Sequence, residues 1–280
     1  MAAPILHADD TPIRVLDRSR RDRGFGNGGK QGPVWACISD QRPWAGTAPL
    51  GVEYRFSPDR RGEHPRQYLQ SSSGILQAVV CPGFGDLYEP RANRSREFSE
   101  AACWPHLRCD FSDAWETAAS EIAGEALDRI GGPSDIERQI SGQPSELRQA
   151  ARQQHSCPQA DAVRRCDLPL NFHPFGIGAR WVVVRGPTDG LAGKSDLARA
   201  FRYGLFRWFS FELDLEVGRI GIDNNPAEHA MRPIGIGRKN WLFAGSDEGI
   251  NRAVALEAVS KTKLDPLICR TMWSSVPVFP

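Results

Sequence analysis

Glu228 lies where chemistry-bearing side chains crowd together, in the stretch Gly221–Gly249 (GIDNNPAEHAMRPIGIGRKNWLFAGSDEG). A carboxylate on a predicted helix is followed by Arg238, Lys239, Asn240 and Trp241, cationic donors beside an indole ring. Asn225 is a favourable N-cap and Pro226 suits the first helical position, where no backbone donor is needed. Pro233 predicts a stop near Arg232, because proline cannot continue the i→i−4 ladder. Glu228 then has two readings. It closes a capping box onto the Asn225 amide and pairs with Arg232 one turn on. Or it is a metal ligand presented beside a phosphate-binding cationic loop. Spacing alone favours the cap, because such caps are common.

The elements that must position these residues are legible in outline. Apolar residues around Asp9-Asp10 predict a strand over Pro4–Leu16, and Val34–Ser39 and Val52–Phe56 predict the next two. Arg60–Gln70 reads as a short helix and Gly74–Val80 (GILQAVV) as an apolar strand. A fifth strand is expected over Phe98–Trp104. Helical sequence follows from His106 to about Arg129, and again from Pro133 to about Gln154. Cys157–Gly190 loses the pattern, because Pro158, Pro169, Pro174 and Pro187 break any helix and Arg180–Arg185 reads as an isolated strand. Ser195 caps a helix carrying Leu197, Phe201, Leu205, Trp208 and Phe209, a stripe read as core rather than ligand site. Ser246 caps one more. The basic, glycine-rich Arg18–Lys30 lacks the strand-to-helix setting and glycine spacing of a phosphate cradle and is read as a flexible hairpin loop.

Composition sets limits. The 280 residues suffice for one large domain or a domain with an insertion. A net charge of +1 gives no global polyanion signal, so nucleic-acid contact would have to come from local patches. The seven cysteines include no CxxC, which argues against a disulfide framework or zinc ribbon. Neither a signal peptide nor a membrane-length apolar run is present, and a cytoplasmic protein is expected.

The pattern D-N-N-x-A-E-x-x-x-R-P-x-x-x-x-R-K-N-W-x-F-A-G-S from Asp223 to Ser246 resembles the C-terminal signature of the insertion-sequence-66 family of DDE transposases. HADDTPI, RPWAGTAP, YRFSPDRRGEHP, LYEP, EAACWPH and GKSDLARAFRYGLFRW agree in the family's order. The resemblance implies an α/β, RNase H-like fold: a mixed sheet with flanking helices and an α-helical insertion. The expected divisions are 1–105 for the first part of the core, 106–192 for the insertion, 193–264 for the returning core and 265–280 for an irregular tail. It also implies metal-dependent DNA strand cleavage and transfer using three acids and Mg²⁺ or Mn²⁺, with DNA and other transposase subunits as partners and the nucleoid as the place of action.

By that resemblance Asp9 is the first acid and Glu228 the third, both metal ligands, and Arg232, Arg238, Lys239 and Trp241 contact DNA. Asp10 points to the opposite strand face and reads as structural. The second acid should follow Leu76-Gln77-Ala78, yet Val79 stands there. A valine cannot ligate a metal, so the site is expected to be dead or severely crippled, with Asp86 the nearest acidic substitute. His229 stands where the family prefers arginine, Cys109 and Asp110 fall in a stretch that is basic in relatives, and His106 reads as an orienting or core residue. The departure over Cys157–Gly190 and the tail from Asp265 look like translation in a shifted frame. Relatives carry N-terminal DNA-recognition segments ahead of the first catalytic strand, so sequence-specific binding by this chain alone is not expected. The alternative is a non-catalytic DNA-backbone-binding or transposase-partner remnant.

Overall fold

The computed structural model describes residues 4–16, 29–78, 82–89, 98–164, 172–173, 182–183, 195–240 and 244–261. They fall into two compact units, one built from 1–100 with 224–280 and the other from 101–223.

The first unit is organised on a five-stranded sheet of order β3-β2-β1-β4-β5. Its strands are β1 (Ile5–Leu16), β2 (Gly29–Ser39), β3 (Gly51–Phe56), β4 (Gly74–Ala78) and β5 (Phe98–Ala101). β1 pairs antiparallel with β2 from His7↔Ile38 to Leu16↔Gly29, and β2 antiparallel with β3. On its other edge β1 pairs parallel with β4, from Ile5↔Ile75 to Ala8↔Ala78. The pleat sends alternate residues to opposite faces. Ile13, Val15, Val34, Ala36, Val52 and Tyr54 therefore meet two helices, α9 (Asn225–Asn240) and α10 (Asp247–Lys261), through Ala227, Ala230, Met231, Ile234, Ile250 and Val254. On the other face Ala8, Trp35, Leu76 and Ala78 pack with Phe84 and Leu87 of α2 (Pro82–Tyr88). The short helix α1 (Glu63–Tyr68) precedes β4.

Pro233 does not stop its helix as the sequence predicts: α9 runs on to Asn240 with the proline inside it. An interior proline costs roughly 3 kcal/mol. Ala227, Ala230, Met231 and Ile234 are all buried and follow i, i+3, i+4, i+7 spacing across the proline. Burying that stripe stabilises by more than the break costs. Arg238–Asn240 accordingly end this helix rather than begin a loop. Ser246 caps α10 as expected, its hydroxyl accepting from the Gly249 amide at 3.0 Å.

The second unit is helical: α3 (Trp104–Ala118), α4 (Glu121–Ile140), α5 (Ser145–Ala151), a π turn over Arg152–Ser156, α6 (Cys157–Arg164), α7 (Asp196–Phe206) and α8 (Trp208–Glu216). Prolines again mislead the sequence reading. The expected break before Pro133 is absent, and α4 carries that residue on the buried side shared with Ala123, Ala126 and Ile130. Pro158 lies within continuous helical backbone, directly after the π turn over Arg152–Ser156. The true interruption comes at Ala119, in a left-handed conformation with φ 45°, before Ser120 caps α4 by accepting from Ala123. The aromatic stripe divides as well. Phe201 and Trp208 are buried, but Phe209 is exposed because the turn at Arg207 resets the helical phase between α7 and α8.

This unit also buries charge. Arg148 and Arg152 share Glu137, Arg148 bonding it at 2.9 Å. Arg152 further donates to the carbonyls of Asp214 at 2.7 Å and Ile220 at 2.8 Å. Two antiparallel pairs join Phe172–His173 with Val182–Val183. Among the described residues no helix is long and apolar enough to cross a membrane.

Candidate active site

Asp9 is opposite Ala36 across the β1–β2 pairing, so it shares the sheet face that α9 covers. Asp10 is opposite Trp35 and takes the other face, as strand alternation predicts. Glu228 lies in the first turn of α9, exposed to solvent. Strand and helix thus bring the two sequence-predicted acids onto one side of the sheet.

A buried polar clasp fixes that juxtaposition. Asn224, fully buried, donates through Nδ2 to the Ala8 carbonyl at 2.9 Å, and its Oδ1 faces Nδ1 of buried His7 at 3.2 Å. Burial pushes the His7 imidazole down to about 4, so it is neutral near pH 7 and donates to Asn224 through its Nδ1–H. The backbone carbonyl of Asn224 meanwhile accepts from the amides of Ala227 at 3.0 Å and Glu228 at 3.1 Å. One residue thus grips β1 beside Asp9 with its side chain and opens the Glu228 helix with its main chain. Further along, the Tyr54 hydroxyl donates to the Ala230 carbonyl at 2.5 Å. Beyond the helix Ala244 bonds the backbones of Arg14 and Leu16 on β1. The opening of α9 and the segment that follows it are each tied to the strand that bears Asp9.

The electrostatics at Asp9 are those of a crowded acid. Burial chiefly pushes its carboxyl up to about 6; the charges of Asp10 and Glu228 push the same way, against the Asp10 amide and Arg60. The Asp10 amide donates to Oδ1 of Asp9 at 2.7 Å. Asp10 is itself ion-paired, its Oδ2 at 2.8 Å from Nε of Arg60. Among the described residues no three His, Cys, Asp or Glu side chains gather as a metal cage.

The remaining expected residues divide between the site, other settings and undescribed positions. Arg232 is exposed on α9, one turn after Glu228. The backbones of Arg238 and Lys239 belong to the end of α9, while their side chains, and Val79 and Trp241 entirely, lie outside the described residues. Asp86 is ion-paired to Arg66 at 2.6 Å on α2. His106 faces the buried Cys103 thiol at 2.9 Å at the start of α3. Asp110 joins Asp113 and Asp196 around Arg199. Sequence reading missed Asn224, His7, Tyr54 and Arg60. Asn224 stands beside the motif's acid, but its partners are 217 and 216 residues away in the chain.

A family model described as "Transposase IS66 family" matches residues 1–252. The uncharacterized protein y4hP of Sinorhizobium fredii is 34% identical over 273 residues, covering 93% of this chain and 45% of that protein. The uncharacterized protein y4jD of the same organism is 30% identical over 266 residues, covering 94% of this chain and 48% of its own. The chain therefore spans under half the length of these relatives. No solved structure matches it. A family model spanning residues 1–252 and relatives aligned along almost all of the chain place this protein in the IS66 family of transposases.

Proposed function

We propose that the chain is the DNA-cutting core of an insertion-sequence transposase, with Asp9 and Glu228 as the surviving acids of a site crippled by Val79. The observation that carries this is the delivery of Asp9 and Glu228 to one sheet face, close enough that the charge of Glu228 raises the Asp9 carboxyl. Strand order β3-β2-β1-β4-β5, antiparallel through β1 and then parallel, supports an RNase H-like core.

Two hard oxygen donors on separate elements suit one Mg²⁺ or Mn²⁺ ion that keeps most of its waters. They do not suit the bridged pair of ions on which two-metal strand cleavage depends. The β1–β4 register ends at Ala8↔Ala78, one residue short of Asp9 in one strand and of Val79 in the sequence. Such ions, when bound, polarise the phosphate and stabilise the attacking and leaving oxygens. The chain's own part is positional: Asn224 and neutral His7 hold the two carboxylates in register. The exposed Arg232 favours a second reading, in which the chain binds the DNA backbone without cutting it.

The test is nicking of supercoiled plasmid in Mg²⁺ or Mn²⁺. The unaltered chain is expected to leave the plasmid intact. Val79→Asp is expected to nick it, and adding Asp9→Asn or Glu228→Gln to abolish that gain. Nicking by the unaltered chain that requires Asp9 would overturn the crippled site. Failure of Val79→Asp to cut, with DNA binding intact, would favour the binding reading.

A further inference from the structure

We propose that Arg60 is a phosphate anchor, presenting its guanidinium to a nucleic-acid backbone phosphate beside Asp9 while Asp10 holds it in place. This rests on the DNA-processing reading above and adds a contact that neither the motif acids nor the cations of α9 supply. The turn bearing Arg60 is built rather than loose. Trp35 donates through Nε1 to the Ser57 hydroxyl at 2.8 Å, which donates in turn to the Asp59 carbonyl at 2.6 Å. The Asp59 carboxylate accepts from the Arg61 amide at 3.1 Å and faces Nε2 of His64 at 2.9 Å. Gly62 lets the turn press on α2, since a Cβ there would sit 3.0 Å from Oδ2 of Asp86 and 3.2 Å from the Gly83 carbonyl.

From this turn Arg60 reaches the acid pair. Its Nε is 2.8 Å from Oδ2 of Asp10, whose side chain is 7% exposed, yet the arginine side chain is itself 50% exposed. Arg42, more exposed still at 67%, differs in how it meets its carboxylate. Arg42 clasps both oxygens of Asp40, Nε to Oδ1 at 2.8 Å and Nη2 to Oδ2 at 2.7 Å. Arg61 on the same turn is paired with Asp59 at 3.3 Å and Glu63 at 3.6 Å. Among the described residues Asp10 is the one ion-pair partner of Arg60, with Nε the nearest nitrogen. The two terminal amino groups form a planar fork suited to two oxygens of a phosphate.

The experiment measures binding of the full chain to a fluorescent DNA duplex without divalent metal, across a salt series. Arg60→Ala and Arg60→Gln are each expected to weaken binding about 3- to 10-fold and to lower the log–log salt slope by about 0.9, one phosphate contact. Gln retains an amide for Asp10 and tests a folded, uncharged site. Arg61→Ala, on the same turn, is expected to change the slope by less than half as much. Wild-type binding with an unchanged slope in both Arg60 variants, or equal losses for Arg60 and Arg61, overturns the anchor while leaving the proposed function standing. Absence of any binding by the unaltered chain at low salt overturns both.

Discussion

The two units bury charge in opposite ways. In the helical unit Glu137 lies between Arg148 and Arg152, and other donors of the two arginines reach main-chain carbonyls, so the opposite charges are paired. In the sheet unit Asp9 sits half-buried with Asp10 and Glu228 for company, like charges that add to the rise burial gives its carboxyl. The first arrangement locks helices together. The second keeps like charges near one another, the setting that the proposed metal site would need.

The comparison can be broken most forcefully at Arg152. Arg152→Ala leaves Glu137 with one partner and main-chain carbonyls without a donor, and is expected to cost about 3–5 kcal/mol in denaturant unfolding. A loss under about 1 kcal/mol would mean that the network does not hold the helical unit. Asn224→Ala ranks next, at about 1–3 kcal/mol, since it strips partners from His7 and the Ala8 carbonyl. Its sharper consequence is local. Freed from β1, the start of α9 should let Glu228 move away, and the Asp9 carboxyl should drop towards its ordinary range.

The smallest effect has the opposite sign. Because the folded Asp9 carboxyl is raised from 3.8 to about 6, its protonated form stabilises the fold fully below about pH 4. That contribution is lost as pH rises through 6. Asp9→Asn should therefore raise neutral-pH stability by on the order of 1–2 kcal/mol and flatten the fall between pH 4 and 6. Buried Asp214, raised to about 7 mainly by burial, adds its own decline up to that pH in the helical unit. That part should survive the Asp9 substitution.

How much was legible follows from the range of each interaction. Strands declared themselves through alternation, and Asp10 could be assigned to the opposite face from Asp9 by the same two-residue period. Pro133, Pro158 and Pro233 were misread because a local rule about donors competes with buried stripes whose energy depends on distant sheet and helix surfaces. The family's motifs brought Asp9 and Glu228 to notice, but spacing along the chain could not reveal Asn224, which stands beside the predicted cap Asn225 and works as a clasp. Arg60 was hidden for a similar reason: its partner is known only once the strand pairing fixes where Asp10 points.

The central claim is that the fold holds Asp9 and Glu228 in electrostatic contact. Carboxyl-selective NMR titration of Asp9 tests it without requiring activity. The account predicts a midpoint near 6 in the unaltered chain, moved down by Glu228→Gln and by Asn224→Ala. A midpoint near 3.8 that neither substitution moves would contradict it.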